Sequence, residues 1–429
     1  MKYVFRNPET FILTRGNESI DVEELYNKMS ELEILIPFIE YIEESYLLEH
    51  PELRYICFEA IESGTFEFSE DGLYYSTDNC NTWSSLPSET PTPTVNTGEK
   101  IYFKGELTPA ATVGIGTFSA TGQFNAIGNT LSLLFGDNAY KQTSLSGKNN
   151  AFRRLFKGCT TLINAGGLKL NATTLSARCY TEMFQECGNL LTVPKLPATT
   201  LSNYCYNYMF EGCTSITMPP ELPATTLGNG CYGSMFSGCT SLTEAPELPA
   251  TSLTNSCYSG MFIGCTSITE APELQSRALA TSCYANMFSG CTGLTTPPRL
   301  PARTIAASCY QAMFEGCSNL TNVPVLHATE LFDYCYAMMF KDCASITTAP
   351  FLGALTLAEG CYSNMFNGCT NLNYVKAMFT TTPGLMYTSQ WLSDVSPSGT
   401  FVKNSAAEWE SAGDATTIPA GWTVITESV

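Results

Sequence analysis

Apolar positions along the chain follow three patterns in succession. Residues 21–48 place Val22, Leu25, Met29, Leu32, Leu35, Ile36, Ile39, Ile42 and Leu47 on one broad face at helical spacing. Asp21, Glu23 and Glu24 suit a helix start, and Pro37 interrupts the run, so the spacing predicts two helices or one kinked helix. Residues 53–87 instead alternate, as in Thr65-Phe66-Glu67-Phe68 and Leu73-Tyr74-Tyr75, which predicts strands with Asp71-Gly72 as a turn. Ile101-Tyr102-Phe103 and the segment 114–124 continue the β pattern, and 87–93, rich in Thr, Ser and Pro, reads as a loop.

The third pattern is a repeat. Cys-Tyr-x-x-Met-Phe-x-x-Cys recurs with its Phe at 184, 210, 236, 262, 288, 314, 340 and 366, a period of 26, and Phe156 begins the series as a partial copy. Cys231, Met235 and Cys239, with the pair Tyr232 and Phe236, have i, i+4 spacing, which predicts a short helix of two to three turns. Gly238 and its equivalents fall where a helix C-cap glycine is useful. The other half, Ser-Leu-Thr-Glu-Ala-Pro-Glu-Leu, is extended in character. Neither half is stable alone, so stacking in register is required, strand beside strand and helix beside helix.

The Phe-x-x-Cys-x-x-Leu core followed by a strand resembles the BspA-type leucine-rich repeat, found in surface proteins of gut and oral bacteria and in phages that infect them. The resemblance covers 151–375. With the flanking patterns it gives the expectation of an α/β leucine-rich-repeat solenoid of 26-residue repeats, preceded by a small β domain and an N-terminal helical segment. The domain expectation is therefore a helical attachment or oligomerisation segment at 1–52, a β-rich domain at 53–150, the solenoid at 151–375 and a C-terminal cap at 376–429. The Leu-Pro-Ala-Thr-Thr-Leu stretch of 196–201 and 222–227 departs to Leu-Gln-Ser-Arg-Ala-Leu at 274–279, Leu-His-Ala-Thr-Glu-Leu at 326–331 and Leu-Gly-Ala-Leu-Thr-Leu at 352–357. One surface thus differs from repeat to repeat.

Charge narrows the function classes. The 429 residues carry a net charge of −19, and only 14% are charged. Residues 1–72 hold 17 acids against 5 bases, which accounts for −12. Such a chain cannot neutralise a run of phosphates, so nucleic acid is not expected as a partner. No stretch approaches ~18 consecutive apolar residues, so membrane insertion is not expected. The start, Met1 to Pro8, lacks an apolar signal core, and the expectation is a chain not exported by a secretory signal.

Candidate chemistry is sparse. Eight cysteine pairs share a spacing of eight (179/187 to 361/369), ~12 Å on a helix and beyond disulfide reach. Same-column cysteines of neighbouring repeats would lie ~5 Å apart, which permits bridging, but no alternation of repeats marks pairs. Reduced, buried cysteines are the expectation, as in a reducing cytoplasm. With only His50 and His327 and no Cys-x-x-Cys, no zinc site or other cofactor is expected. Ser76 to Trp83 resembles the Asp-box of sialidase-like β proteins, with Cys80 in the glycine place, and reads as a turn device. Gly114-Ile115-Gly116 lacks the third glycine of a dinucleotide site. The chain reads as a non-enzyme, although a carboxylate pair meeting in space stays open.

Two columns suggest binding. The residue before the second strand leucine reads Lys195, Glu221, Glu247, Glu273, Arg299, Val325, Phe351, and period-2 alternation points it outward. This is either a binding stripe or a solvated strand face. The tyrosines Tyr180 to Tyr362 can stack sugars or form a core edge. Ser234 and Ser259 are expected to be exposed on the opposite, helical face. The resulting expectation is a phage virion adhesion protein of head- or tail-fibre type. Residues 1–52 would join other virion proteins, and a homo-oligomer would display the solenoid to a host glycan or protein. The alternative is a bacterial cell-surface adhesin, and a carbohydrate-active enzyme is a third class.

Overall fold

The structure, a computed structural model, describes residues 4–5, 12–15, 18–21, 47, 49–409 and 418–428. The chain divides into two compact units, Met1–Leu53 and Arg54–Val429. In the first, β1 (Val4–Phe5), β2 (Ile12–Arg15) and β3 (Glu18–Asp21) form an antiparallel meander. Asp21 therefore ends a strand, and the helices expected from 21–48 lie almost wholly outside the described residues.

The second unit opens with β4 (Ile56–Ala60), β5 (Phe66–Phe68), β6 (Leu73–Ser76), β7 (Ser84–Leu86), β8 (Lys100–Gly105), β9 (Phe118–Ala120) and β10 (Phe124–Asn129). With β11 (Leu162–Lys169), five of these form a six-stranded sheet in the order β11-β10-β4-β8-β6-β7, while β5 pairs with β9. The Asp71-Gly72 bend is present, with Gly72 at φ +96°, but the strands it joins lie in different sheets. The reason is burial: Phe66 and Phe68 face a common core with Phe118, whereas β6 is needed between β8 and β7. Phe58 sits at the centre of that core, its ring 4.8–5.8 Å from those of Phe66, Phe103, Phe118, Phe124 and Phe156. Phe156 is also the first rung of the repeats. Sheet edge and aromatic core thus both run on into the stack, β11 pairing parallel with β10.

The helix expected in each repeat is not there. Between residues 54 and 409, α-helix is confined to two four-residue turns, Ser132–Phe135 and Leu385–Thr388. The Cys-Tyr-x-x-Met-Phe-x-x-Cys segment is instead a ribbon of tight turns. Every second N–H bonds locally, three residues back: Cys179 to Ser176, Thr181 to Arg178, Met183 to Tyr180, Gln185 to Glu182 and Cys187 to Phe184, at 3.1–3.3 Å. The intervening N–H groups donate to the next repeat: Arg178 to Asn203, Tyr180 to Cys205, Glu182 to Asn207, Phe184 to Met209 and Glu186 to Glu211, at 2.7–3.0 Å. An α-helix would consume all of these donors internally and leave none to join repeats.

The turns need a left-handed residue every fourth position. Arg178, Glu182 and Glu186 have φ of +57°, +58° and +63°, and Gly230, Ser234 and Gly238 have +58°, +51° and +73°. The glycines at 158, 212, 238, 264, 290, 316 and 368 are thus the third left-handed position of the ribbon, not helix C-caps. Recurrence every four residues returns Cys, Met and Cys to one side, which is why the pattern imitates a helix.

That inner side is packed as ladders. Phe rings stack from Phe156 to Phe366 at 5.4–5.8 Å, nearly parallel. Tyr rings stack from Tyr180 to Tyr362 at 5.7–6.1 Å. Phe152 starts the Tyr column and Trp391 ends it. The extended halves lie side by side in parallel but form only isolated bridges, such as Thr200 with Thr226 and Ala278 with Thr304, because proline occupies that half. Continuous strands return at the end, where β12 (Tyr374–Ala377), β13 (Gly399–Asn404) and β14 (Trp422–Glu427) pair in parallel.

Candidate binding face

The outward column is exposed throughout: Lys195, Glu221, Glu247, Glu273, Arg299, Val325 and Phe351 all face solvent. The next residue points in. Leu196, Leu222, Leu248, Leu274, Leu300 and Leu352 are buried, and Leu326 is half-buried. Alternation continues, so the position four after the column is exposed in every repeat, and the position two after it is exposed or half-buried. These bring in Arg277, Arg303 and Leu355, which reading a single column missed although the same period-2 rule finds them. Over successive repeats the face runs from acidic (Glu221, Glu247, Glu273) through basic (Arg277, Arg299, Arg303) to apolar (Val325, Phe351, Leu355).

The apolar end is open to solvent. Val325 is 65% exposed and Phe351 51%, high values for side chains that gain by burial. Lys376 Nζ lies 5.5 Å from the Phe351 ring centroid. Beside Arg299 an open groove of about 460 Å³ crosses two repeats, lined by Thr269, Glu270, Ala271, Thr295, Thr296, Pro297 and Pro298. A second groove, of about 420 Å³, lies on the β region beside Glu99, Lys100 and Tyr102. Each groove contains one carboxylate, Glu270 and Glu99, where paired-acid hydrolysis needs two.

Other candidates are buried. The tyrosine column is at most 2% exposed, so it stacks on itself and offers no sugar platform. Ser234 and Ser259 are half-buried, and the Ser259 hydroxyl donates to the Ala285 carbonyl, so neither is a free position on the turn side. All nineteen cysteines are free thiols, eighteen of them buried. Burial raises the pKa values of the cysteines from Cys159 to Cys369, that of Cys239 to about 12, which keeps them protonated and unreactive.

At the Asp-box, Asp78 accepts from Thr82 Oγ1 (2.6 Å), Thr82 N (2.9 Å) and Ser76 Oγ (2.7 Å). These bonds, Thr82 first, lower its carboxyl to about 2. Cys80 stands at φ +68°, the conformation the usual glycine would take, and Trp83 packs edge-on to Tyr55 at 4.9 Å. The side chains of Ser76, Asp78, Asn81 and Thr82 serve the turn.

Residues 281–383 match the family model described as BspA type leucine rich repeat region, in six copies. The repeats are BspA-type leucine-rich repeats. The 26-residue hydrogen-bond ladder of these repeats runs back to Phe156. The chain is similar to a leucine-rich repeat protein from Bacteroides ovatus, whose crystal structure shares 13% identity over 64% of this chain and 86% of that one, with a TM-score of 0.23. Among curated proteins none matches. Among the described residues no helix is long and apolar enough to cross a membrane.

Proposed function

We propose that this chain is a non-enzymatic adhesion protein that binds a bacterial surface through the exposed face of its extended half-repeats. The observation that carries this reading is the contrast within that face. Buried leucines repeat almost unchanged, while the side chains between them change from acidic to basic to apolar. A constant platform with varied outward residues is how stacked repeats make an extended binding surface, and BspA-type repeats belong to surface proteins. Val325, Phe351 and Arg299 supply the apolar contact and the donors.

The placement we favour is a virion appendage of fibre type, and the buried free thiols support it. They suit folding in a reducing host cytoplasm, where virions are built. In this reading the unit 1–53 attaches the protein, as an oligomer, to its assembly. The BspA-type repeats themselves favour the second placement, a bacterial cell-surface adhesin.

Substituting Arg299→Ala and Phe351→Ala together tests the adhesion reading. Cell binding should fall while the melting temperature holds. Unchanged binding, or equal loss from substitutions at the exposed Asn255 and Thr240 outside this face, would contradict it.

A further inference from the structure

We infer that Arg277, Arg299 and Arg303 form a docking site for an anionic glycan, a polymer carrying carboxylate or phosphate groups. The inference rests on the adhesion reading of the same face and adds the chemistry of the partner. In a chain of net charge −19, the segment 274–314 contains these three arginines and no acid. Only five Lys or Arg occur in 179–375, the others being Lys195 and Lys341. Past the first repeats, where Arg153, Arg154 and Lys157 hold Glu182, base is scarce and concentrated here.

Geometry places the three on one surface. The Arg303 N–H donates to the Arg277 carbonyl at 3.1 Å, so these two arginines are neighbours in one column, roughly 5 Å apart across the stack. Arg299 and Arg303 share one extended segment, both exposed, with Leu300 and Ala302 buried between them. At ~3.3 Å per residue they stand roughly 13 Å apart along the segment. That span exceeds any single carboxylate or phosphate and suits a polymer with repeated anions. Among the described residues none of the three makes an ion pair, although Glu273 stands one repeat from Arg299 in the same column. Their planar forks therefore remain available for bidentate contacts to carboxylate or phosphate.

Neighbouring residues favour a glycan over other polyanions. On one flank lies the groove beside Arg299, and on the other Val325, Phe351 and Leu355, apolar surface on which sugar rings can lie. Nucleic acid, with its densely spaced phosphates, would require many more phosphate contacts than three arginines provide.

The test titrates the full chain with polygalacturonate, poly(glycerol phosphate), neutral dextran, polyglutamate and a DNA oligonucleotide. Wild-type protein and the triple variants Arg→Ala and Arg→Lys at 277, 299 and 303 are compared at low and moderate salt. The expected result is salt-sensitive binding of polygalacturonate or poly(glycerol phosphate), whichever anion matches, and none of dextran. The Ala triple should lose at least tenfold, and the Lys triple should lose less, with unchanged melting temperatures. The inference is overturned if no polyanion binds at low salt, if the Ala triple binds as wild type, or if polyglutamate or DNA binds as well as the glycans. Cell adhesion separates the two readings. Loss with Phe351→Ala but not with the Ala triple removes this inference alone, whereas no loss with either removes the adhesion face as well.

Discussion

The thiol of Cys239 donates to the carbonyl oxygen of Phe210 at 3.1 Å, 29 residues earlier and one repeat away. The same bond recurs through the stack, from Cys187 on Phe156 to Cys369 on Phe340. Each Phe carbonyl from 156 to 340 also accepts a local turn N–H, as Phe210 does from Cys213 at 3.1 Å. The second cysteine column is thus a set of rungs, which alanine, lacking the Sγ–H, could not supply.

Cys265→Ala should cost about 1–2 kcal/mol, from the lost Sγ–H···O bond to Phe236 and the small cavity left behind. Denaturant unfolding measures this as a lower midpoint at constant slope. Alkylation of the native protein should leave the sixteen paired repeat cysteines unlabelled until it unfolds. A regular disulfide ladder would contradict the thiol rungs.

Gly264 isolates the cost of the left-handed positions. Its φ is +67°, and a Cβ there would meet nothing within 4 Å. Gly264→Ala should therefore destabilise by about 1 kcal/mol from backbone conformation alone. In the same column Asp342 has φ +61°, so Asp342→Gly should be neutral or stabilising by up to ~1 kcal/mol. Equal losses at both sites in thermal unfolding would refute the turn-ribbon account.

Glu182 sits at the start of the stack, 8% exposed, and binds Arg153 at 2.8 Å, Arg154 at 2.6 Å and Lys157 at 3.4 Å. Burial pushes its carboxyl pKa up, but the hydrogen bonds and charges of Arg154 and Arg153 more than offset this and hold it below the ordinary value. Its stabilising contribution is therefore full above the unfolded pKa of about 4.3 and is lost as pH falls through the lower folded value. Glu182→Gln should cost about 1–3 kcal/mol at pH 7, and the difference from wild type should shrink in that acid window. A pH-independent difference in stability would count against the ion cluster.

Residues 54–429 form a compact unit with a continuous core from Phe58 through the Phe ladder to Trp391. Removal of 1–53 should leave that unit soluble, with its melting temperature within a few degrees of the full chain. If 1–53 is the attachment segment, the truncated protein should fail to enter its assembly. Normal incorporation would place attachment elsewhere.

How much of this was legible in the sequence depended on periodicity. Period 26 revealed the stack because each repeat must bury the same side chains against its neighbours, and period 2 correctly turned Glu221 to Phe351 outward over the leucines. The i, i+4 spacing of Cys231, Met235 and Cys239 misled, since a helix and a ribbon with a left-handed residue every fourth place return side chains to the same side. The distinguishing signal was present in Gly230, Ser234, Gly238 and Ser256, Gly260, Gly264: small residues at every fourth position, which a helix would not favour. The thiol rungs and the Arg153–Arg154–Glu182 cluster depend on contacts between repeats and become visible only once the stack is built.

Hydroxyl-radical footprinting of the full chain bound to bacterial cells tests the central claim most directly. Side chains on both surfaces are exposed and reactive: Val325, Phe351 and Leu355 on the extended face, Tyr204, Tyr208 and Tyr334 on the turn ribbon. The account predicts protection of Val325, Phe351 and Leu355 on binding, with the three tyrosines labelled as in free protein. Protection of the tyrosines with the extended face still labelled would contradict it.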